Sequence, residues 1–503
     1  MDANGRESMS YLEVLKLAAP ETILVITVLV VLAADLVALA DLELRFRMII
    51  GAMISCIGCV LAIGWMLALP QQAQLLGGIF VVDPLNQLVK IALLVLTILT
   101  VLLSIDSHFS AHAGEYFALV LLATVGMLFL VSSTDVLMIF VSLELTSLSL
   151  YVLTAFNKQD VQSAEAALKY FLFGGMAAAF TLFGLSLLYG LSGSTNLERI
   201  AAAISGPSLD PLLILALVMT VVGFAFKVAA APFHLWAPDV YQGAPPPSAA
   251  LIASGSKVAG FFVLARVMAL GFRGAEGSGA WHNYLPGWVP LLAILAGVSM
   301  VLGNFAAIVQ TSVRRLLAYS AIAHGGYMLL AVMASDGMGI PSLLYYVITY
   351  GLTTLGAFGV VAVVQQQTGG DRLTDFAGLS RRSPVLAACM MVFLLSLAGI
   401  PPLAGFFGKF YIFSELLRSG AGMGLLWLVI LAIGLSAVSL YYYLQVLKQV
   451  FVVSAPPDAK PQPSAAVTQQ VVLAMVALAV VALGCLPEWL IERVNDAIKL
   501  AKL

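Results

Sequence analysis

Apolar residues in this chain come in long unbroken blocks, without the alternation of a half-buried strand or the single stripe of a surface helix. Short clusters of Gly, Pro, Ser, Asp and basic residues punctuate them. A block of roughly 20 apolar residues is long enough to cross a bilayer as a helix. Fourteen can be marked, at approximately 21–40, 48–69, 84–104, 115–131, 134–156, 163–190, 210–231, 244–271, 287–306, 312–334, 340–366, 383–416, 424–452 and 467–490. Only Ser132 and Ser133 separate the fourth from the fifth, with Asp135 placed to cap the latter. The pattern predicts an all-α polytopic membrane protein of about 14 transmembrane helices.

Composition narrows the function. The chain has 503 residues, 61% apolar and 10% charged, where soluble proteins average about 45–50% and about 25%. That excludes a soluble multidomain globule, and a net charge of −2 leaves no basic field for nucleic acid. Glu7, Glu13 and Glu21 offset Arg6 and Lys16 ahead of the first block, which reads as a retained helix and not a cleaved signal. Cys56 and Cys59 form a C-x-x-C within an apolar block and read as small packing residues. With an outside N-terminus, the cytoplasmic loops hold Arg45, Arg47, Lys158, Arg314, Arg315, Arg372, Arg381, Arg382 and Lys460, against Arg199, Arg273 and Arg418 opposite. The bias puts both termini on the non-cytoplasmic side. The longest polar stretches, 191–209, 367–383 and 454–466, are loop-sized. A phosphate loop, a dinucleotide fingerprint and a Cys set for an iron–sulfur cluster are all missing, so no redox or nucleotide chemistry is expected of this chain.

Its chemistry must come from charges inside the blocks. A mid-span ionisable residue costs several kcal/mol unless paired or hydrated, which makes each one a functional candidate. Glu144 shares a helix face with Ser147 and Tyr151. Lys227 follows fifteen apolar residues, about 22 Å of helix. Lys257 comes after Ser254, Gly255 and Ser256, and Lys409 lies beyond Gly399-Ile400-Pro401-Pro402. Pro232 denies the carbonyl of Val228 its helical donor, and Pro401 and Pro402 do the same to Leu397 and Ala398. Backbone of this kind survives at membrane depth only inside protein or beside water, so each break is a place where a lysine can be solvated. Burial favours the neutral form of a lysine and a nearby carboxylate the charged form, so opening or closing a Glu–Lys pair switches proton affinity. Lys169 and Lys90 lie nearer helix ends. His234 and His324 are relay candidates, the latter on a face with Ser320 and Tyr327. His108 and His112 have metal-like spacing but no third ligand, and Tyr441, Gln445 and Lys448 form a further polar face, a candidate exit. Two broken helices suggest two inverted repeats with discontinuous helices, and a division into 1–114, 115–271, 272–452 and 453–503.

The segment Phe226-Lys227-Val228-Ala229-Ala230-Ala231-Pro232-Phe233-His234-Leu235-Trp236-Ala237-Pro238-Asp239-Val240-Tyr241, followed by Gly243-Ala244-Pro245, resembles the signature of the antiporter-like subunits of respiratory complex I, the proton-pumping NADH:quinone oxidoreductase. Ser142-Leu143-Glu144-Leu145, Ser254-Gly255-Ser256-Lys257 and Gly399-Ile400-Pro401-Pro402-Leu403-Ala404-Gly405-Phe406-Phe407-Gly408-Lys409 extend the likeness over nearly the whole chain. Related subunits occur in Mrp-type sodium/proton antiporters, which is the alternative reading. The resemblance implies that Glu144 and Lys227 form the coupled pair of a first half-channel, with Lys169 a family lysine near it. Lys257 would be the central relay, His324 a polar-axis group, and Lys409 the terminal proton site of the second half-channel. FMN, iron–sulfur clusters, NADH and quinone would belong to partner subunits, and other antiporter-like and small membrane-arm subunits would surround this one in a bacterial cytoplasmic (inner) membrane. Lys409, where one subunit type usually has glutamate, and the chain's ending at Leu503 without a long lateral helix point to one of the three types.

Overall fold

Five of the helices begin where the sequence supplies a side-chain cap. Asp83, Asp135, Asp160, Asp210 and Ser312 each stand just ahead of a helix, and their side-chain oxygens accept first-turn N–H groups at 2.7–3.2 Å. The computed structural model describes residues 11–68, 72–75, 79–107, 109–204, 210–334, 339–419, 423–454 and 465–501. In chain order come α1 (Tyr11–Leu17), α2 (Ala19–Ala33), α3 (Leu44–Ala68), α4 (Pro84–Ser104), α5 (Ala113–Val131), α6 (Val136–Thr154) and α7 (Val161–Ser192). There follow α8 (Leu197–Ile204), α9 (Pro211–Lys227), α10 (Trp236–Gly243), α11 (Pro246–Ala253), α12 (Gly255–Arg266), α13 (Trp288–Ile308) and α14 (Val313–Met333). The last are α15 (Gly339–Thr368), α16 (Leu379–Arg382), α17 (Pro384–Ala398), α18 (Ala404–Ser419), α19 (Leu426–Phe451), α20 (Val467–Cys485) and α21 (Pro487–Ala501).

Among the described residues, twelve helical segments are long and apolar enough to cross a membrane, and α9 and α17 are shorter apolar helices. Together these account for every block read in the sequence. The span at 246–271, α14 and α15 are enclosed by the other helices, whereas α7 turns Leu168, Phe171, Leu172 and Met176 outward. Two hairpins, β1 (Ala73–Leu75) with β2 (Phe80–Val82) and β3 (Ser278–Ala280) with β4 (Asn283–Leu285), lie in loops that the block pattern leaves blank. So does the amphipathic α21, which buries Leu490, Ile491, Val494 and Ala497 and packs on α4 and α15.

The duplication is visible in the backbone. An isolated bridge pairs Asp135 at the start of α6 with Asn196 beyond the end of α7; another pairs Ser312 at the start of α14 with Arg372 beyond the end of α15. Both bridges have the same flanking bonds, Val136 N to Thr195 O and Leu197 N to Thr134 O in one, Val313 N to Asp371 O and Leu373 N to Thr311 O in the other. Successive spans alternate in direction, so α6 starts on the face bearing the β1–β2 hairpin and α21, while α14 starts on the opposite, basic face. The two repeats are therefore inverted. In this register Ser147 corresponds to His324, each twelve residues beyond its bridge residue, Asp135 or Ser312.

Candidate functional site

Each repeat contains a helix broken beside a proline. In the first, α9 stops at Lys227 and Ala229 takes a φ of 57°, a left-handed conformation costly for a residue with a Cβ. Phe226 O accepts from Trp236 Nε1 at 3.1 Å, and Ala231 N donates to Ser299 Oγ at 2.8 Å, so neighbouring helices satisfy the irregular backbone. Trp236 stacks on Tyr170 of α7 with ring centroids 4.3 Å apart, which fixes the far half-helix α10. In the second, α17 ends at Ala398 and Gly399 takes a φ of 87°. The two carbonyls that Pro401 and Pro402 release are the ones Lys409 occupies: its Nζ donates to Leu397 O at 3.0 Å, Ala398 O at 3.1 Å and Ser436 Oγ at 2.8 Å. All three protons of the ammonium are used.

Lys227, Lys257 and Lys409 are 6%, 1% and 5% exposed. Lys257 Nζ donates to Ala321 O at 2.5 Å and lies 5.6 Å from the centre of the Tyr350 ring. That ring sits 5.1 Å from the imidazole of His324, whose Nδ1 hydrogen-bonds Tyr346 Oη at 2.6 Å and whose Nε2 hydrogen-bonds Tyr443 Oη at 3.1 Å. Tyr443 Oη also meets Ser320 Oγ at 2.5 Å. On the other side the Tyr327 ring lies 5.6 Å from His324 and 5.1 Å from Lys409 Nζ. A buried file Lys257, Tyr350, His324, Tyr327, Lys409 thus runs from the end of the first repeat through the second. Gly325 lies at its near end, against Val228 O and Lys257 Nζ.

The first repeat is looser. Lys227 Nζ donates to Ser147 Oγ at 3.1 Å, and among the described residues no direct ion pair joins it to Glu144. Glu144 is half-buried one turn away on the same face of α6, within electrostatic reach of the ammonium. Lys169 is not in this file. It pairs at 2.7 Å with both Glu165 and Asp239, and Asp239 in turn takes Arg315 at 2.7 Å. Asp239 therefore ties α10 to α7 of its own repeat and to α14 of the other. His234 lies in the first break with Nδ1 buried and unpartnered.

Tyr441 and Lys448 lie on the outside of the chain; the neighbouring Tyr442 and Tyr443 turn inward. Residue type could not choose among three consecutive tyrosines. His112 is exposed and bonds Glu115 at 3.1 Å, and His108 lies outside the described residues.

Arg314, a loop charge by sequence, is 3% exposed and donates to Tyr241 O at 3.0 Å, Ala244 O at 2.5 Å and Gln365 Oε1 at 3.0 Å. It caps the C-terminus of α10 with a cation. Arg314→Ala is expected to leave two carbonyls and an amide oxygen without donors, at roughly 3 kcal/mol or more. Thermal unfolding in detergent and the yield of assembled protein check this.

The family model described as "NADH:quinone oxidoreductase/Mrp antiporter, TM" matches residues 133–436. NADH-quinone oxidoreductase subunit N 2 of Acidobacterium capsulatum is 52% identical over 493 residues, covering 96% of this chain and 99% of that one. Subunit N of Moorella thermoacetica is 43% identical, covering 77% and 79%. A chain of respiratory complex I from Thermus thermophilus is similar in structure with a TM-score of 0.77 and 35% identity, over 94% of this chain and 98% of that one. A chain of the Mrp complex from Dietzia has a TM-score of 0.81 at 20% identity over 97% of each chain, a likeness of fold alone.

Proposed function

We propose that this chain, which belongs to the NADH:quinone oxidoreductase/Mrp antiporter family, is the N-type membrane-arm subunit of a proton-translocating NADH:quinone oxidoreductase. The observation that carries the reading is the file from Lys257 through His324 to Lys409. It joins two buried ammonium groups through a histidine and tyrosines, and each lysine rests on polar groups that can hold its proton. Glu144 and Lys227 serve the first repeat as a solvent-sensitive charge pair with Ser147 between them, and Lys169 holds the half-helix α10 through Asp239. We assign residues 115–271 and 272–452 to the two half-channels, with 1–114 and 453–503 as flanking helices.

Quinone reduction in partner subunits biases these charges electrostatically. Protons then move without an electron entering this chain, and FMN, iron–sulfur clusters, NADH and quinone belong to those partners. Basic loops facing the cytoplasm orient the chain in a bacterial inner membrane, beside other antiporter-like and small membrane subunits. The test is to extract the tagged chain in mild detergent. NADH-oxidising, quinone-reducing activity with flavin and iron–sulfur absorbance is expected to accompany it. Isolation with only other membrane chains, without those cofactors, would move the assignment to a sodium/proton antiporter.

A further inference from the structure

A second set of buried charges lies outside the lysine file. On α4, Asp83, Asn86 and Lys90 fall on one face, two turns of helix that rise about 10 Å from the end. Lys90, placed near a helix end by the sequence, is 3% exposed and pairs at 2.6 Å with Glu21 of α2, which is 0% exposed. Its ammonium also lies 4.7 Å from the centre of the Phe80 ring on β2. Above this pair, the guanidinium of Arg266 from α12 donates to Val131 O at 2.7 Å and to Asn86 Oδ1, and lies 4.0 Å from Asp83. Two carboxylates and two cations from three helices thus form one cluster.

Two features separate this cluster from a simple structural brace. Glu21 Oε2 is buried and has no hydrogen-bond partner. A fully buried carboxylate with an unused oxygen carries an uncompensated desolvation cost at that oxygen, and an apolar pair of similar volume commonly holds helices together at least as well. The Asp83–Arg266 end of the cluster also borders a surface cavity. A cavity of about 470 Å3 on the hairpin-bearing face is lined by Gln74, Asp83, Thr134, Asn196, Glu198 and Arg266.

We propose that Glu21 and Lys90, gated by the Asp83–Arg266 pair, form a second proton-holding site that exchanges protons with water in this vestibule on the non-cytoplasmic side. When the Glu21–Lys90 contact loosens, a hydronium ion of the vestibule gives its proton to Glu21 Oε2, breaking its own O–H bond as the carboxyl O–H forms. When the contact re-forms, the ammonium displaces that proton, the carboxyl O–H breaks and a vestibule water becomes hydronium. No electron moves. The inference rests on the proton-translocating reading of the chain.

The test uses the whole enzyme in proteoliposomes and counts protons ejected per NADH oxidised, so a change in turnover alone does not register. Glu21→Gln and the double variant Glu21→Gln/Lys90→Met are compared with Lys227→Ala. A lower ratio in both Glu21 variants, with loss of a carboxyl infrared band that shifts during turnover, is the expected result. A normal ratio in the Glu21 variants beside a lowered ratio in Lys227→Ala overturns this proposal and leaves the function intact. Normal ratios in all three overturn the function as well. Glu21→Gln preserves volume and hydrogen-bonding capacity, so its failure to assemble would mark the pair as structural and also overturn the proposal.

Discussion

Lys227→Ala is expected to lower the protons ejected per NADH oxidised while the enzyme still assembles. Assembly should survive because the first break does not lean on the ammonium: Trp236 holds Phe226 O, Ser299 holds Ala231 N, and Tyr170 stacks on Trp236. What is lost is the buried cation that bonds Ser147 and faces Glu144 across one turn of α6. Without it Glu144 has no counter-charge at the break, and its proton affinity no longer responds to movement of α9. Each 1.4 kcal/mol of lost coupling is about a tenfold change in rate, and the two charges are near each other without direct contact, with Glu144 half-buried. Proton transfer through the first repeat should therefore slow by up to about tenfold. Normal pumping by a correctly assembled variant would remove Lys227 from the mechanism.

Lys409→Met is expected to cost both stability and pumping. Methionine fills much of the same volume but donates to nothing, so Leu397 O, Ala398 O and Ser436 Oγ lose their shared donor. Two orphaned buried carbonyls cost roughly 2–6 kcal/mol together. A cleft of about 310 Å3 lies beside the lysine, lined in part by Ala398, Gly399 and Ser436 and otherwise by apolar side chains such as Phe410 and Ile433. Thermal unfolding measures that loss, and the proton-to-NADH ratio measures the end of the file. Retained pumping in a variant that melts early would separate the structural role of Lys409 from its proposed chemical one.

The parts of the site that were legible in the sequence are those set by local rules. Proline at positions 401 and 402 names the carbonyls it frees four residues earlier, and Lys409 is found on both. Long apolar blocks with Asp or Ser caps name the spans. Ser320, His324 and Tyr327 share a face because they lie on one helix. The groups that complete the site come from elsewhere in the chain: Tyr346 and Tyr350 from α15, Tyr443 from α19, and Asp239 opposite Lys169 from beyond the first break. Periodicity within one helix carries no information about which face of another it meets. The α21 helix was missed because its charged face fails a test for apolar blocks, although Leu490, Ile491 and Val494 bury its other side. Arg314 and Lys90 were read as near-surface charges because position along a helix does not reveal neighbouring chain laid over its end.

The most direct test of the central claim is ion movement by the purified enzyme in sealed proteoliposomes, in sodium-free medium, with NADH and a quinone supplied. NADH oxidation should acidify the vesicle lumen when the cytoplasmic face is outward, and Lys257→Ala or Lys409→Met should reduce the acidification per NADH. Acidification that requires sodium, or NADH oxidation that moves no protons in the unaltered enzyme, would contradict the account.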